Sequence, residues 1–511
     1  TTEIYTLSLH DALPISMLFP LLVISLVKLS FNYGNCFLSA FIYANYGMLL
    51  ISLEKDFITA QKFSDLAKNL LVNFNDIDIK TRTSFIIGAF ISHTNSHIRH
   101  SLPILIEGYK LGLEIGNFEF LGYCAKDICQ HSYFIGENLY SLKNEIINYN
   151  IALLNVKQTT TYNYCHICLE SINTLQIISY QDSKSQKEIC DQDKLISNLV
   201  VSKDITGLHQ YYLHQLIIHY LLDNLSAAQD NSSKCKDNLS GGTGFITTPI
   251  FYFYDSLTIL ASFSDSQDKN NFIENILENQ TKLKEWAHHA PMNYLHKYEL
   301  VEAELHRVLN NKLEAIEYYD RAIVGAKDNE YINEEALANE LAAKFYLGWG
   351  KEKIAQTYMN EAYYCYSRWG AKAKVNHLRE HYPELLKFII QQEEKPNLLS
   401  INNTIYNTFS NRNTIKNIVT SSTNSISESL DLATVIKASQ ALAGEIDLEQ
   451  LLSTILKVVM ENAGASKCAL ILKNEEDVHF QVSAVCSINE EDNSQNIYFI
   501  NRANKIGRAH V

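Results

Sequence analysis

Apolar residues recur at spacings of three and four over most of the chain. Leu313, Ile316, Tyr319 and Ile323, for example, fall on one face of a helix. This spacing is typical of amphipathic helices that bury one apolar stripe against a neighbour. The pattern therefore predicts a mainly α-helical region over residues 16–388.

An internal repeat divides part of this region into helix pairs. Each copy consists of a small residue followed, twelve positions later, by a small–large–small pattern. The two copies are 40 residues apart. They are Ala303, Ala315, Tyr319 and Ala322, and then Ala343, Ala355, Met359 and Ala362. Tetratricopeptide (TPR) repeats show such patterns because small residues let paired helices approach closely. The sequence thus predicts a TPR-like α-solenoid with an extended concave face.

Four segments bear on the continuity of this solenoid. The polar stretches 183–194 and 230–244 are predicted to be irregular, and the glycine cluster 241–244 within the second is predicted to be a plain loop.

The apolar stretches 17–27 and 36–53 are predicted to be buried helices. The first is much shorter than the ~20 apolar residues that span a bilayer, and the second contains polar residues. We therefore expect no membrane segment in this chain.

The pattern changes after residue 388. Residues 389–430 are rich in Asn, Ser, Thr and Glu, which predicts a flexible linker, and residues 431–444 regain helical spacing. A capped amphipathic helix is predicted from Asp447 to Gly464. Strands are predicted at 468–472, 478–484 and 497–500, with a hairpin turn at 474–477. Together these elements predict the opening of an α/β sensor domain.

Both ends of the chain match translations of short-read sequencing adapters. These segments are residues 1–15, TTEIYTLSLHDALPI, and residues 506–511, IGRAHV. We expect neither to belong to the natural protein, so His10, Asp11 and His510 are not considered as functional residues. The natural chain is expected to cover residues 16–505.

Composition narrows the class of partner. The chain has 511 residues, a net charge of −14 and no basic stripe, which argues against a nucleic-acid or anionic-membrane surface. Its ten cysteines have almost no paired spacing, as is usual for proteins of a reducing cytoplasm. We therefore expect a cytoplasmic protein.

Motifs for phosphoryl transfer are absent from the sequence. No Walker A pattern, no kinase HRD or DFG motif and no autophosphorylated H-box occurs. The sequence therefore assigns no catalytic residue, and the expected reading is a non-enzymatic chain.

Two other patterns suggest metal chemistry but favour a plainer interpretation. Cys165 and Cys168 form a lone C-x-x-C without a second pair, so buried thiols are favoured over a zinc or redox site. His93, His97 and His100 would share one helical face, where polar packing is favoured over zinc binding. No metal site is predicted.

Five residues are candidates for a partner-binding surface. His288, His289 and His296 could dock another domain, although hydrogen bonding between helices is favoured. Tyr363 and Tyr364 belong to an aromatic run that could line a peptide groove, although packing between repeats is favoured.

Long blocks of the sequence resemble the helical region of bacterial multi-sensor signal transduction multi-kinases. The blocks are SAFIYANYG (39–47), FYFYDSL (251–257), EWAHHAPMNYLHKYELVEAE (285–304), ELAAKFYLGWGKEKIAQTYMNEAYYCYSRWGAKAKV (340–375) and DLATVIKASQALAGEIDLEQLLSTILKVVMENAGA (431–465). The resemblance implies a serine/threonine kinase and an AAA-type ATPase module upstream. It also implies that residues 445–505 begin a GAF domain, often followed by a histidine kinase.

These observations favour a non-catalytic scaffold and sensor fragment. It would couple upstream kinase and ATPase modules to the GAF sensor, with residues 431–444 acting as a signalling helix that could also form a homodimer. Its partners would be other modules of the same polypeptide and signalling proteins. No cofactor is expected in the fragment; ATP would serve the parent, and the GAF ligand is not assigned. The alternatives are that the function is the parent's protein kinase activity, or that the chain is a stand-alone TPR-type regulator.

Overall fold

The computed structural model describes residues 13–74, 76–177, 186–263, 269–394, 467–473, 480–488 and 495–499. Contacts divide the chain into two units, Thr1–Ile390 and Gln391–Val511. The predicted signalling helix 431–444, the predicted helix from Asp447 and the predicted turn 474–477 lie outside the described residues. The predicted domain boundaries stay predictions.

The described part of the first unit is built from α-helices joined by short turns. The helices are α1 (Leu13–Tyr33), α2 (Ser39–Leu49), α3 (Phe57–Phe74), α4 (Ile77–Ile86), α5 (Ser101–Ile115), α6 (Phe118–Ile135), α7 (Leu139–Asn155), α8 (Thr159–Gln176), α9 (Gln186–Val201), α10 (Ile205–Leu221), α11 (Leu225–Asp237), α12 (Thr247–Ala261), α13 (Lys269–His289), α14 (Pro291–Val308), α15 (Lys312–Asp328), α16 (Ile332–Gly348), α17 (Glu352–Trp369) and α18 (Lys372–His381). Helix α19 (Lys387–Glu394) crosses the unit boundary, so the start of the predicted linker is helical.

Shorter helical turns complete this part of the chain. Those with π geometry are Leu50–Glu54 and Ile87–Ile91, and those with 3-10 geometry are Ser92–Thr94, Ile98–His100 and Leu239–Gly242. Several helices begin where the sequence supplies a capping side chain. The carboxylates of Asp76 and Asp204 accept hydrogen bonds from the first-turn amides of α4 and α10, both at 2.9 Å.

The even-numbered helices form an inner row. From α2 to α16, each even-numbered helix contacts the next even-numbered one. Helices α6, α12 and α16 are buried on nearly all sides, whereas outer helices such as α15 bury only one stripe. The mainly α, solenoid-like prediction is therefore confirmed for this region.

The repeat of 40 residues corresponds to two helix pairs, α14–α15 and α16–α17. All eight residues of the repeated pattern are buried, so the small residues lie where the paired helices approach each other. The turns follow the same shift, because Asn310 and Glu330 have a positive φ, as do Gly350 and Gly370. The left-handed turns therefore occur at equivalent positions in both copies of the repeat, even where the residue is not glycine.

The expected open concave face is wrong for this part of the chain. Later helices pack onto the irregular connection 92–100 between α4 and α5. Asn293 on α14 donates to the carbonyl oxygens of His93 (2.8 Å) and Ser96 (2.7 Å), and Asn138 donates to the carbonyl of Arg368 at 2.8 Å. Because the superhelix returns onto its own earlier turns, the inner row is covered by protein.

Three local predictions also need correction. Helix α9 begins at Gln186 and helix α11 extends to Asp237, so large parts of the stretches predicted to be irregular are helical. Polar residues on the outer helices can face solvent without breaking a helix. Helix α1 is not buried, because Leu18 and Leu21 are both 61% exposed. No helix among the described residues is long and apolar enough to cross a membrane.

The second unit contains three described strands. They are β1 (Lys467–Lys473), β2 (Phe480–Ile488) and β3 (Gln495–Phe499), paired antiparallel in the order β1-β2-β3. A register shift between Leu470 and Ile471 interrupts the β1–β2 pairing. The strands overlap the segments predicted to be strands, but three strands do not by themselves show a GAF domain.

Candidate functional site: two buried ion clusters

The five residues predicted as a partner surface do not share one open face. His296 and Tyr363 are buried, His289 and Tyr364 are half-buried, and His288 is exposed. The ring of His289 packs against Phe57, with centroids 4.5 Å apart. Their role in binding a partner stays a prediction, but His296 and Tyr363 contribute to the interior.

The residues considered for metal binding are also separated or buried. Cys165 and Cys168 are fully buried on α8, which confirms the interpretation as buried thiols. His93, His97 and His100 do not share a helix, since the chain leaves helical geometry at Asn95. Within the described part of the chain, no group of three or more His, Cys, Asp or Glu residues could hold a metal ion.

The first ion cluster, the Glu334 cluster, consists of His296, Lys297 and Glu334. It joins α14 to the first turn of α16. Lys297 Nζ lies 2.7 Å from Glu334 Oε2, donates to the carbonyl oxygen of Asn293 at 2.7 Å, and lies 4.4 Å from the ring centroid of Tyr331. All three cluster side chains are almost completely buried, so water contributes little to their solvation.

Protonation in the Glu334 cluster is set by burial and by this ion pair. Burial and the nearby Lys297 ammonium lower the pKa of His296 to about 4, so its ring is neutral at pH 7. The neutral ring donates from Nε2 to Glu334, an assignment that follows from the acceptor-only carboxylate. Although burial alone would raise it, Lys297 and His296 hold the pKa of Glu334 below its usual value.

The second cluster, the Glu340 cluster, consists of Glu340, Lys344, Lys374 and Asp223. Glu340 Oε1 lies 2.7 Å from Lys374 Nζ and 2.9 Å from Lys344 Nζ. Lys344 also reaches Asp223 Oδ1 at 2.9 Å, just beyond the end of α10. Two carboxylates thus balance two ammonium groups.

Further hydrogen bonds extend the Glu340 cluster to two more helices. Tyr366 on α17 donates to Glu340 Oε2 at 2.8 Å, and Lys374 on α18 donates to the carbonyl oxygen of Leu221. Burial opposes the ionised carboxylate, but Lys344 and Lys374 outweigh it and lower the pKa of Glu340 to about 2. One carboxylate therefore connects α10, α16, α17 and α18.

Both clusters are suited to holding helices in place rather than to catalysis. Every charge in them has a partner at hydrogen-bond distance. For the fully buried pairs, Lys297–Glu334 and Lys374–Glu340, removing one partner typically costs ~3–5 kcal/mol. Buried pairs of this kind also favour one helix register over others, because a shifted register leaves a charge unpaired.

The sequence contained a partial signal for these clusters. Glu340, next to Asn339, interrupts the otherwise apolar run 336–343 of α16, in which every described side chain is buried. A charged residue within such a run must have a buried partner. The partner could not be found from sequence, because Lys374 lies 34 residues away on another helix.

Comparisons with known proteins bear on a small part of the chain. No protein-family model matches it. A stretch of 63 residues is 41% identical to part of a protein described as hybrid signal transduction histidine kinase G from Dictyostelium discoideum. The match covers 12% of this chain and 2% of that protein.

This similarity relates part of the chain to a signal-transduction kinase. It does not extend to the bacterial multi-kinase organisation, the AAA-type ATPase or the GAF domain, which stay predictions. Because the chain covers so little of its relative, the activity of that protein can enter only as a proposal.

Proposed function

We propose that this chain is a non-catalytic scaffold of a larger signal-transduction kinase. Its helical unit would couple upstream kinase and ATPase modules to a GAF-type sensor and a downstream histidine kinase. The observation that carries the proposal is the closed helical unit, in which residues 200 or so positions apart are hydrogen-bonded to each other.

A closed unit is suited to transmitting movement between modules. In an open solenoid, each repeat contacts only its neighbours, so the stack of repeats can flex along its length. Here, α14 binds the connection 92–100 and α18 binds the end of α10, so displacement of one part must displace the other. The similarity to a hybrid histidine kinase favours a signalling pathway for this movement.

The non-catalytic part of the proposal is tested with radiolabelled ATP. The purified chain is expected to incorporate no label on Ser, Thr or His residues, whether or not Mg²⁺ is present. A purified histidine kinase serves as the positive control. Stoichiometric incorporation into the chain would contradict the proposal.

The coupling part is tested by extending the coding sequence in both directions. We expect a protein kinase domain upstream and the rest of a sensor domain downstream, so that phosphoryl transfer from ATP is an activity of the parent. A stop codon soon after residue 505, with no kinase upstream, would contradict the proposal and support a stand-alone regulator.

A further inference from the structure

A cavity of about 460 Å³ lies near the N-terminal end of the helical unit. Its walls come from α1, α2, α4, α6, α8 and α10, from the two π-helical turns and from the segment 240–245. Aromatic rings of Phe19, Phe85, Phe90 and Phe245 line much of it. Its volume and its mostly apolar walls are typical of sites that enclose a small organic molecule.

One cation contributes to this apolar wall. Lys126 lines the cavity and is only 3% exposed. Its Nζ binds Asp127 Oδ1 at 2.7 Å and lies 3.8 Å from the ring centroid of Phe245. An ammonium group has three N–H donors, and these two contacts leave a donor for another acceptor.

Other large polar side chains of the wall are already engaged. Tyr164 donates its hydroxyl to Asp204 at 2.8 Å, and Asn45 donates to the carbonyl oxygen of Phe41 at 2.7 Å. Within the described residues, Asp127 is fully buried and its Oδ2 has no hydrogen-bond partner. Lys126, paired with Asp127, is therefore a buried cationic donor in a mostly apolar wall, and its hydrogen-bonding capacity is not used up by the protein.

We infer that this cavity binds an uncharged, mainly apolar small molecule whose polar end accepts a hydrogen bond from Lys126, as a medium-chain acyl amide would. The pair carries no net charge, so a neutral ligand avoids adding an unbalanced charge to a buried site. The apolar chain would lie against the phenylalanine rings. This inference rests on the cavity alone and is independent of the proposed scaffold role.

A ligand in this cavity would be in contact with helix α1. Phe19 and Pro20 of α1 form part of the cavity wall. Pro20 cannot donate a backbone hydrogen bond within the helix, which locally weakens α1. A bound ligand would add apolar contacts to the inner side of α1.

The inference is tested by calorimetric titration of the full chain with decanamide, with decanoate as the charged comparison. We expect saturable binding of decanamide and weaker binding of decanoate. Absence of saturable decanamide binding would overturn the inference, and tighter binding of decanoate would overturn the assignment of an uncharged ligand.

Two variants locate the binding. Lys126→Met is expected to weaken decanamide binding about 10-fold to 100-fold, because a hydrogen bond from a charged donor is lost. Ile205→Trp alters the cavity wall at a side chain that is 43% exposed, so folding should be retained while binding falls at least tenfold. Ile77→Trp, at the start of α4 and outside the cavity wall, is the matched control. Equal affinity in the Ile205 and Ile77 variants would overturn the inference.

Discussion

Helices α16 and α1 use their apolar residues in opposite ways. Helix α16 is surrounded by other helices and buries two glutamates, Glu334 and Glu340, with their partners. Helix α1 has a more apolar sequence, but among its described side chains only the narrow stripe of Val23, Val27 and Ser30 is buried. The contrast teaches that the number of neighbouring helices, rather than hydrophobicity, decides which helix lies in the interior.

The two helices also belong to different hydrophobic cores. One core extends from Ile98 to Ile389, and the other from Val23 to Ile128. Partly buried side chains, including Leu102 and Trp286, contact both cores. We therefore expect the region containing α14–α17 to respond strongly to changes in charge, and α1 to respond weakly to changes in hydrophobicity.

Acid is expected to have the largest effect. Burial lowers the pKa values of several histidines far below the usual value of 6.5; among them, the pKa is about 4 for His93, His209 and His296 and about 3 for His214. The unfolded chain then binds more protons than the folded chain between pH 6.5 and 4, so the free energy of unfolding falls as pH falls through this window. Each histidine contributes about 1.4 kcal/mol per pH unit, which sums to several kcal/mol.

Urea unfolding at pH 7.5, 6.5 and 5.5 measures this dependence. His214→Gln is the control, since it should remove about one histidine's share of the slope. Helices α1–α3 contain no histidine. Equal stability at all three pH values would show that the buried rings do not govern the unit.

Removal of Glu340 is expected to have the next largest effect. Glu340→Ala leaves Lys374 buried beside Lys344 without its carboxylate, so the free energy of unfolding should fall by ~3–5 kcal/mol. Glu278→Gln is the matched control because its partner Lys282 lies one turn away on the exposed side of α13. The control should change the free energy of unfolding by less than about 0.5 kcal/mol. Equal effects of the two changes would contradict the claim that the buried carboxylate contributes more than the exposed one.

A smaller effect is expected from the hydroxyl that supports Glu340. Tyr366→Phe removes a buried hydrogen bond to Glu340 and should cost about 1–3 kcal/mol, because the carboxylate loses an internal donor. Tyr358→Phe removes a similar bond of 2.9 Å to Asp320 on the surface, where water can replace it. Chemical denaturation should show a much larger loss of unfolding free energy for Tyr366→Phe than for Tyr358→Phe. The reverse order would contradict the assignment of the Glu340 cluster as the more strongly stabilising contact.

The smallest effect is expected on α1. Leu21→Ser replaces an exposed side chain and should change the free energy of unfolding by no more than about 0.5 kcal/mol. Val27→Ser, in the buried stripe of the same helix, is the comparison and should cost clearly more. A large loss of stability from Leu21→Ser would mean that the outer face of α1 is covered in the folded protein.

Local properties of the fold could be predicted from sequence, but its long-range closure could not. The spacing of Ala315, Tyr319 and Ala322 predicted both a helix and its buried stripe, because that information lies within one helix and its neighbour. The contacts of Asn293 with His93 and of Lys374 with Leu221 depend on how tightly the superhelix turns. Small differences in the angle between successive pairs accumulate over many helices, and no single motif encodes their sum.

The position of His296 could not be predicted from sequence for a related reason. His296 was recognised as one of several polar residues in a distinctive block, but sequence alone could not decide between the surface and the interior. Whether His296 is buried depends on its partner Glu334, which lies on the next helix pair.

Native-state hydrogen exchange of the full chain, followed by mass spectrometry at low urea, tests the closed helical unit most directly. Closure predicts that amides of α6, α12 and α16 exchange together, with one shared free energy of opening, while α1 exchanges at lower cost. Exchange of α16 independently of α6, with a graded series of opening free energies along the repeats, would contradict it and indicate an open solenoid.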